Sequence, residues 1–155
     1  MEFPSATHNT IFDNKVLIIT LTVWAVTQGL KVFLGVLREK KFNFKWFIGT
    51  GGMPSSHAAG AMALATSCGL QIGFNSVAFA LAVAFALVTM FDAQGVRRSS
   101  GQQALILNQM IDDIYWQGKF EPLRLMQFFG HTPLEVLIGA VIGMLLSYNL
   151  YQWWN

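Results

Sequence analysis

The chain has 155 residues, of which 54% are hydrophobic and 12% charged, with a formal net charge of +2. That charged share is roughly half of what an ordinary soluble domain carries, and with a mean hydropathy of +0.46 it marks an integral membrane protein. A balance so near neutral, with no polybasic tail, argues against nucleic acid as a partner, and the single cysteine, Cys68, excludes an internal disulfide.

A tail containing Glu2 and Asp13 leads into the first apolar run, Val16 to Leu37 (VLIITLTVWAVTQGLKVFLGVL). This run is too long for a cleaved signal and long enough to cross a bilayer, which takes about 20 residues as helix. Arg38 to Met53 then mixes lysines with Phe42, Phe44, Trp46 and Phe47, an interfacial composition. A second span is expected from Pro54 to about Ile72, opening with GGMPSSHAAGAM and rich in alanine. Gly73 and Asn75 suit a tight turn into a third span, about Phe74 to Phe91. In QQALILNQMIDDIYW, residues 102–116, Leu107, Met110, Ile111 and Ile114 recur at helical spacing against Asp112 and Asp113, as in a helix lying on the membrane surface. The fourth span, Pro133 to about Leu150, ends in Tyr148, Tyr151, Trp153 and Trp154, which suit a membrane interface. The expected fold is all-α: one membrane-embedded domain over residues 1–155, with four transmembrane helices and an amphipathic surface helix.

Small residues recur at every fourth position, at Ala61, Ala65 and Gly69 and again at Gly139, Gly143 and Ser147. Such faces let membrane helices approach closely. They serve either packing inside the bundle or a homodimer seam.

If four spans alternate in direction, the end of the first, the start of the second, the end of the third and the start of the fourth share one membrane face. The polar residues gather at those places: Lys31 and Arg38; Ser55, Ser56 and His57; Asp92, Arg97 and Arg98; and His131, Thr132 and Glu135. His8 lies in the N-terminal tail, away from them. Of the ten Lys and Arg residues, Arg38, Lys40, Lys41, Lys45, Arg97, Arg98, Lys119 and Arg124 lie in the two connections on this face. The positive-inside rule then puts that face in the cytoplasm and both termini outside.

Cations beside helix N-termini favour an anion, because the first turn of a helix offers unpaired N–H groups at the positive end of its dipole. Arginine adds a planar fork for phosphate oxygens and lysine a point charge. Two histidines can divide the roles of nucleophile and general acid. The pattern supports phosphoryl transfer, which needs little beyond positioning and charge stabilisation.

At these residues the chain resembles the type 2 phosphatidic acid phosphatases, which share a site with vanadium haloperoxidases. Lys31 and Arg38 have the spacing of that superfamily's Lys-x6-Arg-Pro, with Glu39 in place of proline. Pro54-Ser55-Ser56-His57 matches Pro-Ser-Gly-His with serine for glycine, and His131-x3-Glu135 matches the final His-x3-Asp with glutamate for aspartate. The phrases GGMPSSH, DAQGVRR and GHTPLEV are similar to a divergent branch of small bacterial and plastid-type members. The resemblance implies that His131 attacks phosphorus, Glu135 holds its other ring nitrogen and His57 protonates the leaving group. It further implies that Lys31, Arg38, Ser55, Ser56 and one of Arg97 and Arg98 bind phosphate oxygens, with Asp92 orienting that arginine. It implies no cofactor or metal, a lipid phosphate substrate, and a bacterial plasma membrane location. The family's arginine stands shortly before the nucleophile, whereas Arg97 and Arg98 precede His131 by a whole intervening helix.

Local readings compete with these roles. Ser55 can cap the second span, and Thr132-Pro133-Leu134-Glu135 has the form of a capping box, so that Glu135 serves either the backbone or His131. Two functions follow: a phosphatase acting on a lipid phosphate monoester, with phosphatidylglycerol phosphate the first candidate and phosphatidic acid or a polyprenyl phosphate next, or a degenerate relative that binds anionic lipid or phosphate without turnover.

Overall fold

A computed structural model describes residues 10–40, 52–115 and 131–154. Within them the chain is helical, with no strands. After a short 3-10 turn at Ile11–Asp13 come α1 (Lys15–Glu39), α2 (Ser56–Ile72), α3 (Val77–Gln94), α4 (Val96–Tyr115) and α5 (Pro133–Trp153). The interfacial Phe42, Phe44, Trp46 and Phe47, and the cations Lys41, Lys45, Lys119 and Arg124, lie outside the described residues.

The starts of α1, α2 and α3 are each set by a capping side chain that takes up an N–H left over in the first turn. Asn14 accepts from Leu17 N at 3.0 Å, Ser55 from Ala58 N at 3.4 Å and Ser76 from Phe79 N at 3.2 Å. The Ser76 cap explains why α3 begins at Val77 rather than at Phe74. The Phe74 ring instead packs edge-on against Phe79, centroids 5.1 Å apart. The surface helix begins earlier than its apolar spacing suggests. Gly95 keeps a right-handed conformation (φ −91°, ψ −71°), so the backbone resumes helix at Val96 through a polar stretch that reads as a loop. On α4, Gly101, Ala104 and Asn108 are buried, while Ile106, Leu107 and Met110 are about half exposed. Polar positions are exposed with them, at Gln102, Gln103 and Gln109.

Three helices, Lys15–Arg38, Val77–Gln94 and Pro133–Trp153, are long and apolar enough to cross a membrane. The four-span expectation is not fully met, because α2 has only 17 residues. At 1.5 Å per residue it is about 25 Å long, short of a hydrocarbon core of about 30 Å. It is instead the hub of the bundle, packed against α1, α3 and α5.

Small residues allow this. Ala58, Ala59, Gly60, Ala61, Ala63, Ala65 and Gly69 of α2 are all buried. Ile19 and Val23 of α1 close on Ala59 and Ala63, and Ala93 of α3 with Val136 of α5 closes on Ala58. Gly139, Gly143 and Ser147 of α5 are buried as well. Both small-residue faces thus point into the bundle.

At the end of the bundle remote from the polar cluster, Lys15 Nζ donates to the Trp154 carbonyl at 3.3 Å and sits 5.8 Å from the centre of the Tyr151 ring. The Tyr151 hydroxyl and Gln71 Oε1 are 3.0 Å apart. These contacts tie the start of α1 and the end of α2 to the aromatic end of α5.

Candidate active site

The start of α2, the end of α3 and the start of α5 are joined by backbone hydrogen bonds outside any helix. His131 N donates to the Ala93 carbonyl at 3.1 Å, and Ser55 N donates to the Glu135 carbonyl at 3.2 Å. Backbone bonds of this kind fix positions more firmly than side-chain contacts, since neither partner has rotamers to lose. Ser55 is 0% exposed, Ser56 2% and His131 1%. The approach is close because Gly139 faces the Ser55 backbone, where any side chain would run into the Ser55 carbonyl.

His131 stands just before α5. Its Nδ1 lies 3.2 Å from Glu135 Oε2. The same oxygen accepts from Thr132 N at 3.0 Å, while Thr132 Oγ1 accepts from Glu135 N at 3.4 Å. Capping and histidine orientation, which compete on paper, are performed together by one carboxylate oxygen. An ionised carboxylate only accepts, so in the neutral imidazole Nδ1 carries the proton and Nε2 the lone pair. This is the tautomer a histidine nucleophile needs.

Lys31 brings α1 to the same end. It is buried and within electrostatic reach of Glu135. Gly52 lies beside it, where a Cβ would make an ordinary contact with Lys31 Cε at 3.4 Å, and its φ of +88° is the conformation that favours glycine. Thr27 and Gln28 are buried on the same stretch of α1. Gln28, one turn before Lys31, was not singled out from the sequence as a site residue; a glutamine inside a membrane-spanning run three residues before a buried lysine is the signal that could have found it.

The remaining site residues are less closely drawn in. Arg38, two turns beyond Lys31 on the same helix face, is exposed. His57, next to the buried Ser56, is also exposed, and Asp92 is half-buried beside Ala93. Arg97 and Arg98 fall in the first turn of α4, and their side chains lie outside the described residues. Among the described residues no three His, Cys, Asp or Glu side chains converge as a metal site would require.

Comparison with known proteins places the chain in a family. A family model described as "Divergent PAP2 family" matches residues 12–146, from the start of the first helix to the middle of α5. The chain is 34% identical to the Uncharacterized membrane protein YuiD of Bacillus subtilis (strain 168), over 88% of its own length and 94% of that protein's. No solved structure matches the chain. The match takes in α1 to α4 and the first part of α5: the chain belongs to the Divergent PAP2 family, and it is a membrane protein.

Proposed function

We propose that the protein is a membrane phosphatase that hydrolyses a lipid phosphate monoester through a phosphohistidine on His131. The observation that carries this reading is the buried imidazole of His131 with Nδ1 turned to Glu135, which leaves Nε2 as the nucleophilic atom. In the first step Nε2 forms a bond to phosphorus, the bond to the lipid oxygen breaks, and His57 gives that oxygen a proton. Glu135 stabilises the positive charge that develops on the His131 ring. In the second step water attacks the phosphohistidine, His57 takes the water proton, and phosphate leaves. Lys31, Arg38, Ser55, Ser56 and one of Arg97 and Arg98 hold the phosphate oxygens, with Asp92 supporting that arginine. No metal or cofactor enters these steps.

In this reading α2 crosses the membrane with the other three apolar helices despite its length, and α4 lies on the surface. The site faces the cytoplasm of a bacterial plasma membrane, where lipid phosphates are made. Phosphatidylglycerol phosphate is the first candidate substrate, then phosphatidic acid or a polyprenyl phosphate.

The exposed position of His57 favours a second reading, in which the site binds lipid phosphate without turnover. A phosphate-release assay in detergent over these lipids separates the two. Turnover of at least one lipid, abolished in His131→Ala and lowered roughly 10²–10⁴-fold in His57→Ala as for loss of a general acid, is the expected result. Tight binding with no release on any lipid would establish the second reading instead.

A further inference from the structure

Both α3 and α5 pack against α2, but they meet each other at few positions, where their Cα atoms come within 8 Å. Between them lie two adjoining cavities of about 430 Å³ and 560 Å³, which share Met62, Val83 and Met144 as walls. Together they form one trough floored by α2. One end is at Gln94 and Pro133, the other at Phe74 and Tyr148. The first of these ends belongs to the candidate site: Gln94 follows Ala93, whose carbonyl holds the His131 N–H, and Pro133 follows His131 by two residues.

We infer that this trough seats one acyl chain of a membrane lipid whose phosphate headgroup lies at His131. The placement of the headgroup rests on the proposed function; the trough itself does not. Along α5 it runs from Pro133 to Tyr148, about 22 Å at 1.5 Å per residue, enough for a chain spanning one leaflet of a core about 30 Å thick. Its walls are almost wholly apolar, and cavities of this size hold small molecules well. Leu87 and Leu137 stand 49% and 61% exposed along it, so it opens sideways to lipid and a chain can enter without leaving the bilayer. Met62, Met90 and Met144 give it an adaptable lining, suited to a chain with bends.

The test is photolabelling of the full chain in phosphatidylcholine vesicles by phosphatidic acid carrying a diazirine on its acyl chain. Adducts are expected to concentrate on Leu137, Val141 and Met144 rather than on Phe33 of α1 or Val88 of α3, which are exposed outside the trough. Val141→Trp, which fills the trough from an exposed position, should lower labelling of Leu137 and Met144 about tenfold, the change produced by about 1.4 kcal/mol of lost contact. Val88→Trp should leave it unchanged. Adducts spread evenly over all lipid-facing helices would overturn the inference. So would a disulfide-linked dimer formed through Leu137→Cys in a Cys68→Ala background, which would put a second copy in the trough. Trough labelling in a protein that turns over none of the lipids tested would uphold the inference while removing only the phosphatase reading.

Discussion

Replacing Glu135 by glutamine is expected to lower lipid phosphate turnover by roughly 10²–10⁴-fold, the range for loss of a positioned acid–base partner, while leaving the fold intact. The reason lies in the three jobs that meet at this residue. Its Oε2 accepts from Thr132 N and from His131 Nδ1, and its charge is felt by Lys31. A glutamine oxygen can still accept from Thr132 N and so keep the cap. It cannot stabilise a positive imidazole, and its NH₂ group can turn toward Nδ1 and favour the wrong tautomer. Glu135→Ala should also lose the carboxylate's bond to Thr132 N, at about 1 kcal/mol of stability. A comparison of turnover with thermal unfolding in detergent separates the effects: the glutamine variant loses rate alone, the alanine variant rate and stability. Equal turnover in wild type and Glu135→Gln would remove the carboxylate from the chemistry and leave it a helix cap.

The second large effect is expected at Gly143. A Cβ at this position would reach the Ala59 carbonyl oxygen and come within 2.8 Å of its carbon. Backbone cannot yield as a flexible side chain can, so α2 and α5 must separate at their closest crossing. Overpacking of this kind costs about 1–3 kcal/mol, and Gly143→Ala should lower the unfolding temperature in detergent accordingly. The Ser55–Glu135 backbone bond lies one turn from the crossing along α2 and two along α5 and should be loosened, so activity falls with stability. Gly29→Ala is the matched control. Nothing stands within 4 Å of a Cβ there, and alanine is the better helix former by about 1 kcal/mol, so stability should hold or rise. An unshifted Gly143→Ala would mean that the two helices do not cross where the structure puts them.

The first, third and fourth apolar segments are legible in the sequence because a lipid-facing helix must be apolar along its whole length. The second is legible as an apolar run but not as the hub. Alanine and glycine satisfy a lipid face and a close helix contact alike, and only the packing shows that α2 is surrounded. The early start of α4 is hidden by Arg97, Arg98, Ser99 and Ser100, which read as a loop until Gly95 is seen to keep the chain in a helical turn.

At the site, the spacing of His131 and Glu135 already implies that they can meet. It does not reveal that one oxygen serves both the imidazole and the cap, since that depends on His131 Nδ1 and Thr132 N lying on the same side of the carboxylate. The outward position of His57 is equally hidden. Residue 57 belongs to the first turn of α2, and which way that turn faces is set by Ser55 docking on α5.

The measurement that bears most directly on the account is a search for the phosphorylated enzyme. The purified protein is mixed with a lipid phosphate carrying labelled phosphorus, quenched in base within the first turnover, and mapped by mass spectrometry. The account predicts base-stable, acid-labile phosphate on Nε2 of His131, absent from His131→Ala and accumulating when the second step is slowed. Label on another residue, or steady hydrolysis with His131 never phosphorylated, would contradict it.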